Sequence, residues 1–117
     1  MDKNSKISGD MFTEKPLKGQ HAVITGGTRG IGAAISSYLA RLGANISLTG
    51  RTEKTLTQQA QQIRSKYKVK VHTAAGNMAD ELDVGRCFES ASKELGSVQI
   101  LVNNAGVLKR TPFLELT

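Results

Sequence analysis

Eight residues, Thr25-Gly26-Gly27-Thr28-Arg29-Gly30-Ile31-Gly32, place four glycines between an apolar run, His21-Ala22-Val23-Ile24, and a stretch with helical periodicity. A turn from strand to helix uses backbone angles at which a Cβ clashes, and phosphate oxygens must come within hydrogen-bonding distance of the main chain. N–H groups at the start of the helix, together with the positive end of its dipole, then face negative charge. The run therefore reads as a cradle for a dinucleotide pyrophosphate, with Gly26, Gly30 and Gly32 supplying the turn and the close approach. A bare strand-to-helix turn would not need so many glycines. The spacing is T-G-x-x-x-G-x-G; the commoner G-x-G-x-x-G would need a further glycine at 28 or 29.

The pattern around this run is that of one α/β domain. Asn45 to Thr49, Val69 to Ala74 and Val98 to Val102 are further strand candidates. Between them Ile31, Ala34, Ile35, Leu39 and Leu42 recur at three- and four-residue steps, which predicts one stripe against a sheet, closed by Gly43. Leu56, Ala60 and Ile63 give a second helix its inner face. Val84, Cys87, Phe88, Ala91 and Leu95, closed by Gly96, give a third. Thr111-Pro112 reads as the N-cap and first-turn proline of a fourth. The alternation predicts a doubly wound parallel sheet of order 3-2-1-4 with right-handed crossovers. Residues 1–18 are polar and without period, and are expected to be a mobile leader ahead of a partial domain over 19–117.

The glycine spacing, taken with Asn103-Asn104-Ala105-Gly106, resembles the short-chain dehydrogenase/reductase family of the classical type, in order from about Lys18 to Gly106. The resemblance covers the N-terminal, cofactor-binding half of that family and implies a Rossmann-type fold truncated after the fourth strand. There the fourth strand is interior, so here it would be a bare apolar edge. The resemblance also implies that Thr28, Arg29 and Ile31 contact the pyrophosphate and its surroundings. Asn77-Met78, where the family often has Asp and an apolar residue, would meet the adenine, the Asn77 carbonyl accepting from the adenine amino group. Asn103 would contact ribose and brace the sheet, and Ala105-Gly106 would leave room for the cofactor.

Gly50-Arg51 follows the second strand directly. An NAD site usually places a carboxylate here, roughly 20 residues beyond the glycines, to accept from the ribose 2′-hydroxyl. A carboxylate would repel a 2′-phosphate, whereas a guanidinium clasps it with paired charge-assisted hydrogen bonds. Arg29 can reach the same phosphate in NADP-preferring relatives, so NADP(H) is the expected cofactor; the plainer alternative is a surface cation at 51.

Hydride transfer in the family needs a tyrosine with a lysine four residues later. Tyr38 is followed at that distance by Leu42, and Tyr67 by Val71. No catalytic residue is therefore assigned within the 117 residues. The expectation is the cofactor-binding half of an NADP(H)-dependent oxidoreductase acting on a carbonyl or secondary alcohol, such as a 3-oxoacyl thioester, steroid, sugar or small ketone. The alternative is a non-catalytic NADP(H)-binding fragment or nucleotide-responsive module. By the same resemblance the intact protein would be a homodimer or homotetramer.

The formal charge of +6 raises nucleic acid as a partner. Its excess is local, however: Arg51, Lys54, Arg64, Lys66, Lys68 and Lys70 stand against Glu53 alone, which reads as a solvated face. Neither nucleic acid nor membrane is expected as a partner, since the apolar runs fall far short of the roughly 20 residues that span a bilayer. His21, His72 and Cys87 lack metal-ligand spacing and read as core or edge residues. A single cysteine and a charged start without an apolar stretch make the cytoplasm the expected compartment.

Overall fold

A computed structural model describes residues 15–104. The segment containing Thr111-Pro112 lies outside them. Seven elements alternate: β1 (His21–Thr25), α1 (Gly30–Arg41), β2 (Asn45–Gly50), α2 (Glu53–Tyr67), β3 (Val71–Ala75), α3 (Glu81–Leu95) and β4 (Ile100–Asn103). The strands form one parallel sheet of order β3-β2-β1-β4, as the alternating pattern predicts. Thr25 pairs with Thr49 on one side and with Asn103 on the other, while Gly50 pairs with Ala75. The carboxyl ends of all four strands thus meet along one edge, where ligands of open α/β sheets bind.

Alternation along the strands gives the sheet two different faces. Ala22, Ile24, Ile46, Leu48 and Val71 join Ala40, Leu56, Ala60 and Ile63 in one apolar core beneath α1 and α2. The opposite face buries His21, Thr25, Ser47 and Thr49, with Val23, against Cys87 and Ala91 of α3. Most of its polar groups are paired, and His72 Nδ1 is the buried exception among the described residues. The His21 ring meets the Gly96 carbonyl oxygen through Nδ1 at 2.9 Å and Ser47 Oγ through Nε2 at 2.7 Å. The His72 Nε2 lies 2.8 Å from Ser90 Oγ. Both histidines are thus packing residues, and no cluster of metal-ligating side chains occurs among the described residues.

The face of α1 matches the expected stripe in part: Leu39 packs against the core, but the rest of the face differs. The buried positions are Gly32, Ser36 and Ala40, whereas Ile31 is 71% exposed and Ala34 is also exposed. The helix lies so close to the strands that only small side chains fit between. Ser36 satisfies its buried hydroxyl by donating to the Gly32 carbonyl oxygen at 2.8 Å. Gly43 ends the helix as expected, with φ +105° and its N–H on the Ala40 carbonyl oxygen at 2.9 Å.

Two boundaries move. The strand expected from Val69 begins at Val71, and that expected from Val98 begins at Ile100. The leader boundary drawn at 18 falls inside a packed turn: Leu17 lies against the core and donates its N–H to the Leu42 carbonyl oxygen at 2.9 Å. At the sheet edge, Ile100, Leu101 and Val102 of β4 remain only half-buried. No helix among the described residues is long and apolar enough to cross a membrane.

Candidate nucleotide-binding site

The chain leaves β1 through Gly26, at φ +68°, whose N–H donates to the Thr49 carbonyl oxygen at 2.8 Å. It enters α1 through Gly30, at φ +48°, where a left-handed conformation favours glycine although a Cβ would meet nothing within 4 Å. Gly32 is required for the opposite reason. Its φ is ordinary, but a Cβ there would overlap the Gly26 carbonyl oxygen and the Asn104 side-chain nitrogen. Gly27 is equally confined, with Ile24, Leu48 and Ser36 side-chain atoms 2.9 Å from a Cβ built on it.

The N-cap of α1 is Arg29, extended at φ −137° and ψ 154°, and its side chain caps nothing. No acidic residue occupies the first turn. The opening N–H groups and the helix dipole therefore face the sheet edge without a resident anion, which is the condition for binding phosphate. Thr28 is half-buried within the turn, while Arg29 and Ile31 are exposed at its rim.

The end of β4 locks this turn. The Thr25 hydroxyl donates to Asn103 Oδ1 at 2.9 Å and accepts the Asn104 N–H at 2.9 Å. Asn104 Nδ2 then donates to the Gly26 carbonyl oxygen at 3.2 Å. Asn103 itself is exposed at the strand end, beside the glycine turn. Ala105 and Gly106 lie outside the described residues.

On the other flank, Arg51 leaves the end of β2 exposed and donates through Nη2 to Asn77 Oδ1 at 3.4 Å. The same oxygen accepts the Ala79 N–H at 2.9 Å. The Asn77 side chain thus stands exposed between Arg51 and the loop that follows β3. Met78 is half-buried, its sulfur 3.5 Å from the Thr49 hydroxyl. Asp83 anchors this loop by accepting the Asn77 N–H at 2.7 Å. That hydrogen bond is the main reason its carboxyl is held below the usual range, with Arg86 acting in the same direction.

The sheet edge thus gathers Gly26, Thr28, Arg29, Gly30, Ile31, Gly32, Arg51, Asn77, Met78 and Asn103. Thr25, Gly27, Asp83 and Asn104 share in the construction and escaped the sequence reading as site residues. For Asn104 a signal existed in the Asn103-Asn104 doublet closing a strand. Thr25 carried a signal as the first residue of the T-G-x-x-x-G-x-G spacing, whereas Asp83 carried none, because its partner Asn77 is fixed only by folding.

The short chain dehydrogenase profile matches residues 20–117. The chain belongs to the short-chain dehydrogenase family. It is 36% identical over 104 residues to a 3-oxoacyl-(acyl-carrier-protein) reductase of Aquifex aeolicus, covering 89% of this chain and 42% of that protein. It is 39% identical over 101 residues to an NADP(+) L-rhamnose 1-dehydrogenase of Thermoplasma acidophilum, covering 86% and 40%. Among solved structures, L-sorbose reductase of Gluconobacter frateurii, complexed with NADPH and L-sorbose, superposes with a TM-score of 0.76. Its identity is 36%, over 86% of this chain and 38% of that one. The short-chain dehydrogenase chain described here therefore spans about two fifths of the length of these relatives.

Proposed function

We propose that this chain is the NADP(H)-binding portion of a short-chain dehydrogenase/reductase that interconverts a carbonyl and a secondary alcohol. The observation that carries the proposal is Arg51, an exposed cation directly after β2, where an NAD site would hold a carboxylate. The NADPH bound in L-sorbose reductase and the NADP(+) specificity named for the L-rhamnose dehydrogenase support it.

In this reading the uncapped N–H groups from Gly30 to Gly32 hold the pyrophosphate, and Gly32 keeps the helix close enough for them to reach it. Arg51 and Arg29 hold the 2′-phosphate by charge-assisted hydrogen bonds. Asn77 and Met78 border the adenine, Asn103 meets a ribose, and Ala105-Gly106 leave space beside it. When bound, the nicotinamide supplies or accepts a hydride. No Tyr-x-x-x-Lys segment occurs in the chain, so the proton donor for the carbonyl oxygen is not among these residues. The chain by itself is thus expected to bind cofactor without turnover.

The substrate class stays broad. Relatives named for a 3-oxoacyl thioester, L-rhamnose and a 3alpha-hydroxysteroid match to a similar degree. A cytoplasmic, homo-oligomeric whole enzyme that binds neither nucleic acid nor membrane completes the proposal. Its test is direct titration of the protein with NADPH and NADH. NADPH should bind at least tenfold more tightly, and equal affinities would overturn the assignment.

A further inference from the structure

Folding brings the lysines that precede β1 to the same edge of the sheet as those that follow α2. Lys15 Nζ donates to the Arg41 carbonyl oxygen at 3.3 Å, and the Lys18 backbone lies against Gly43, just past the end of α1. The Asn45 N–H donates to the Gln20 carbonyl oxygen at 2.9 Å, and Asn45 Oδ1 accepts the Lys70 N–H at 3.1 Å. Gln20, Asn45 and Lys70 thus step across the starts of three strands, roughly 10 Å in all. Lys18 and Lys68 lie just before the first and last of them.

The carboxylates are placed elsewhere. Glu53 opens α2, and Asp80, Glu81 and Asp83 open α3, all at the edge that carries the nucleotide site. At the amino edge Glu94 is the one carboxylate among the described residues, with Lys93 beside it. Lys18, Lys66, Lys68 and Lys70 are exposed, and none of them meets a carboxylate among the described residues. Cations in a last helical turn offset the helix dipole, which accounts for Arg64 and Lys66. It does not account for Lys70, on the approach to β3, or for the backbone of Lys68. Lys68 caps α2 at φ +56°, a left-handed position where glycine is the usual residue. Lys15, at φ +55°, is the other non-glycine residue in that region among those described. Charge is kept at this edge against backbone preference.

The kind of partner follows from what surrounds the lysines. The Arg64 guanidinium is turned onto the Val71 carbonyl oxygen at 2.8 Å, whereas phosphate recognition favours an open arginine fork. Tyr67 is half-buried, with Lys66 Nζ 5.8 Å from its ring centre, so no bare platform is offered to a nucleic-acid base. No exposed large apolar side chain occurs on α2 or β3 to enter a bilayer. What remains is a row of ammonium groups on flexible stems, complementary to carboxylates along an extended chain. We propose that this lysine edge is a docking surface for an acidic segment of another protein, engaged while the nucleotide site at the opposite edge stays open.

The test titrates a fluorescein-labelled oligo-glutamate peptide with the protein, read by anisotropy at physiological ionic strength. Binding should weaken as salt is raised and should be the same with and without NADPH. Lys70→Glu should weaken it by roughly three- to tenfold, because an attraction becomes a repulsion. An unchanged urea midpoint shows that this variant is folded. Lys54→Glu makes the same charge change about 20 Å from Lys68 along α2, beyond the reach of screened charges, and should alter binding by less than about twofold. Lys68→Gly should weaken binding while raising the urea midpoint, since glycine suits the left-handed cap. Absence of binding, equal losses in Lys70→Glu and Lys54→Glu, displacement of the peptide by NADPH, or a lowered midpoint in Lys68→Gly would each overturn the proposal. So would tighter binding of an oligothymidylate of equal charge or of phosphatidylserine vesicles, which would assign the edge to nucleic acid or to membrane.

Discussion

Asn104 Nδ2 donates to the carbonyl oxygen of Gly26 at 3.2 Å, closing a contact between residues 78 apart in sequence. The bond ties the end of β4 to the turn that leaves β1, at the same place where a Cβ on Gly32 would lie. Strand pairing, turn geometry and helix approach are thus settled together. The shape of the glycine turn is set by the sheet as well as by the glycine run.

Gly32→Ala tests that union. The added methyl must displace a backbone carbonyl and the Asn104 amide, neither of which is a flexible chain end. A loss of about 1–3 kcal/mol in unfolding free energy is expected, as for other overpacked sites. Urea denaturation measures it. Affinity for adenosine 2′,5′-bisphosphate should fall as well, since the first turn of α1 would move; unchanged stability would mean that the turn has room after all.

Thr25→Val tests the brace from the other side. The buried Thr25 hydroxyl donates to Asn103 Oδ1 and accepts the Asn104 N–H, so a methyl in its place strips two partners at once. The Asn104 N–H keeps a longer bond to the Thr25 carbonyl oxygen at 3.2 Å. The expected cost is therefore about 1–2 kcal/mol, near that of one lost hydrogen bond with partial compensation. A shift in urea midpoint without a change in slope would report it.

His72 should make stability depend on pH. Burial lowers its pKa below the ordinary 6.5, with His21 acting the same way and Glu94 opposing more weakly than burial acts. Its Nδ1 is buried without a hydrogen-bond partner among the described residues, so a second ring proton gains nothing in the fold. Between the folded value and 6.5 the unfolded chain binds more protons, so this contribution is complete above 6.5 and is lost as pH falls through that window. Comparing urea midpoints at neutral and mildly acid pH should show a decline in the wild type. His72→Gln, which can still reach Ser90, should decline less; equal declines would remove His72 as the cause.

Much of this was legible in the sequence because it is local. Leu56, Ala60 and Ile63 recur at helical spacing and are the buried residues of α2. The glycines mark the turn, and Gly43 marks a helix end. The phase of α1 was only partly legible, since Leu39 packs against the core as its spacing predicts. Ile31, Ala34 and Ile35 look like a core stripe, yet Gly32, Ser36 and Ala40 face the sheet, because close approach selects for small size over apolar character. The contact between Arg51 and Asn77 was hidden for another reason. Arg51 lies 26 residues away, and only the pairing of β2 with β3 brings them together. Likewise Thr25 opens the glycine spacing in the sequence, but its bond to Asn103 exists only once the sheet sets the two side by side.

The central claim is that Arg51 makes this a 2′-phosphate site, and Arg51→Ala measures it most directly. Titrations of wild type and variant with NADPH and NADH should show NADPH affinity falling by roughly ten- to a hundredfold, the equivalent of one charged hydrogen-bonded contact. NADH affinity should hardly change, so the preference collapses. A variant that keeps the wild-type preference for NADPH would contradict the account.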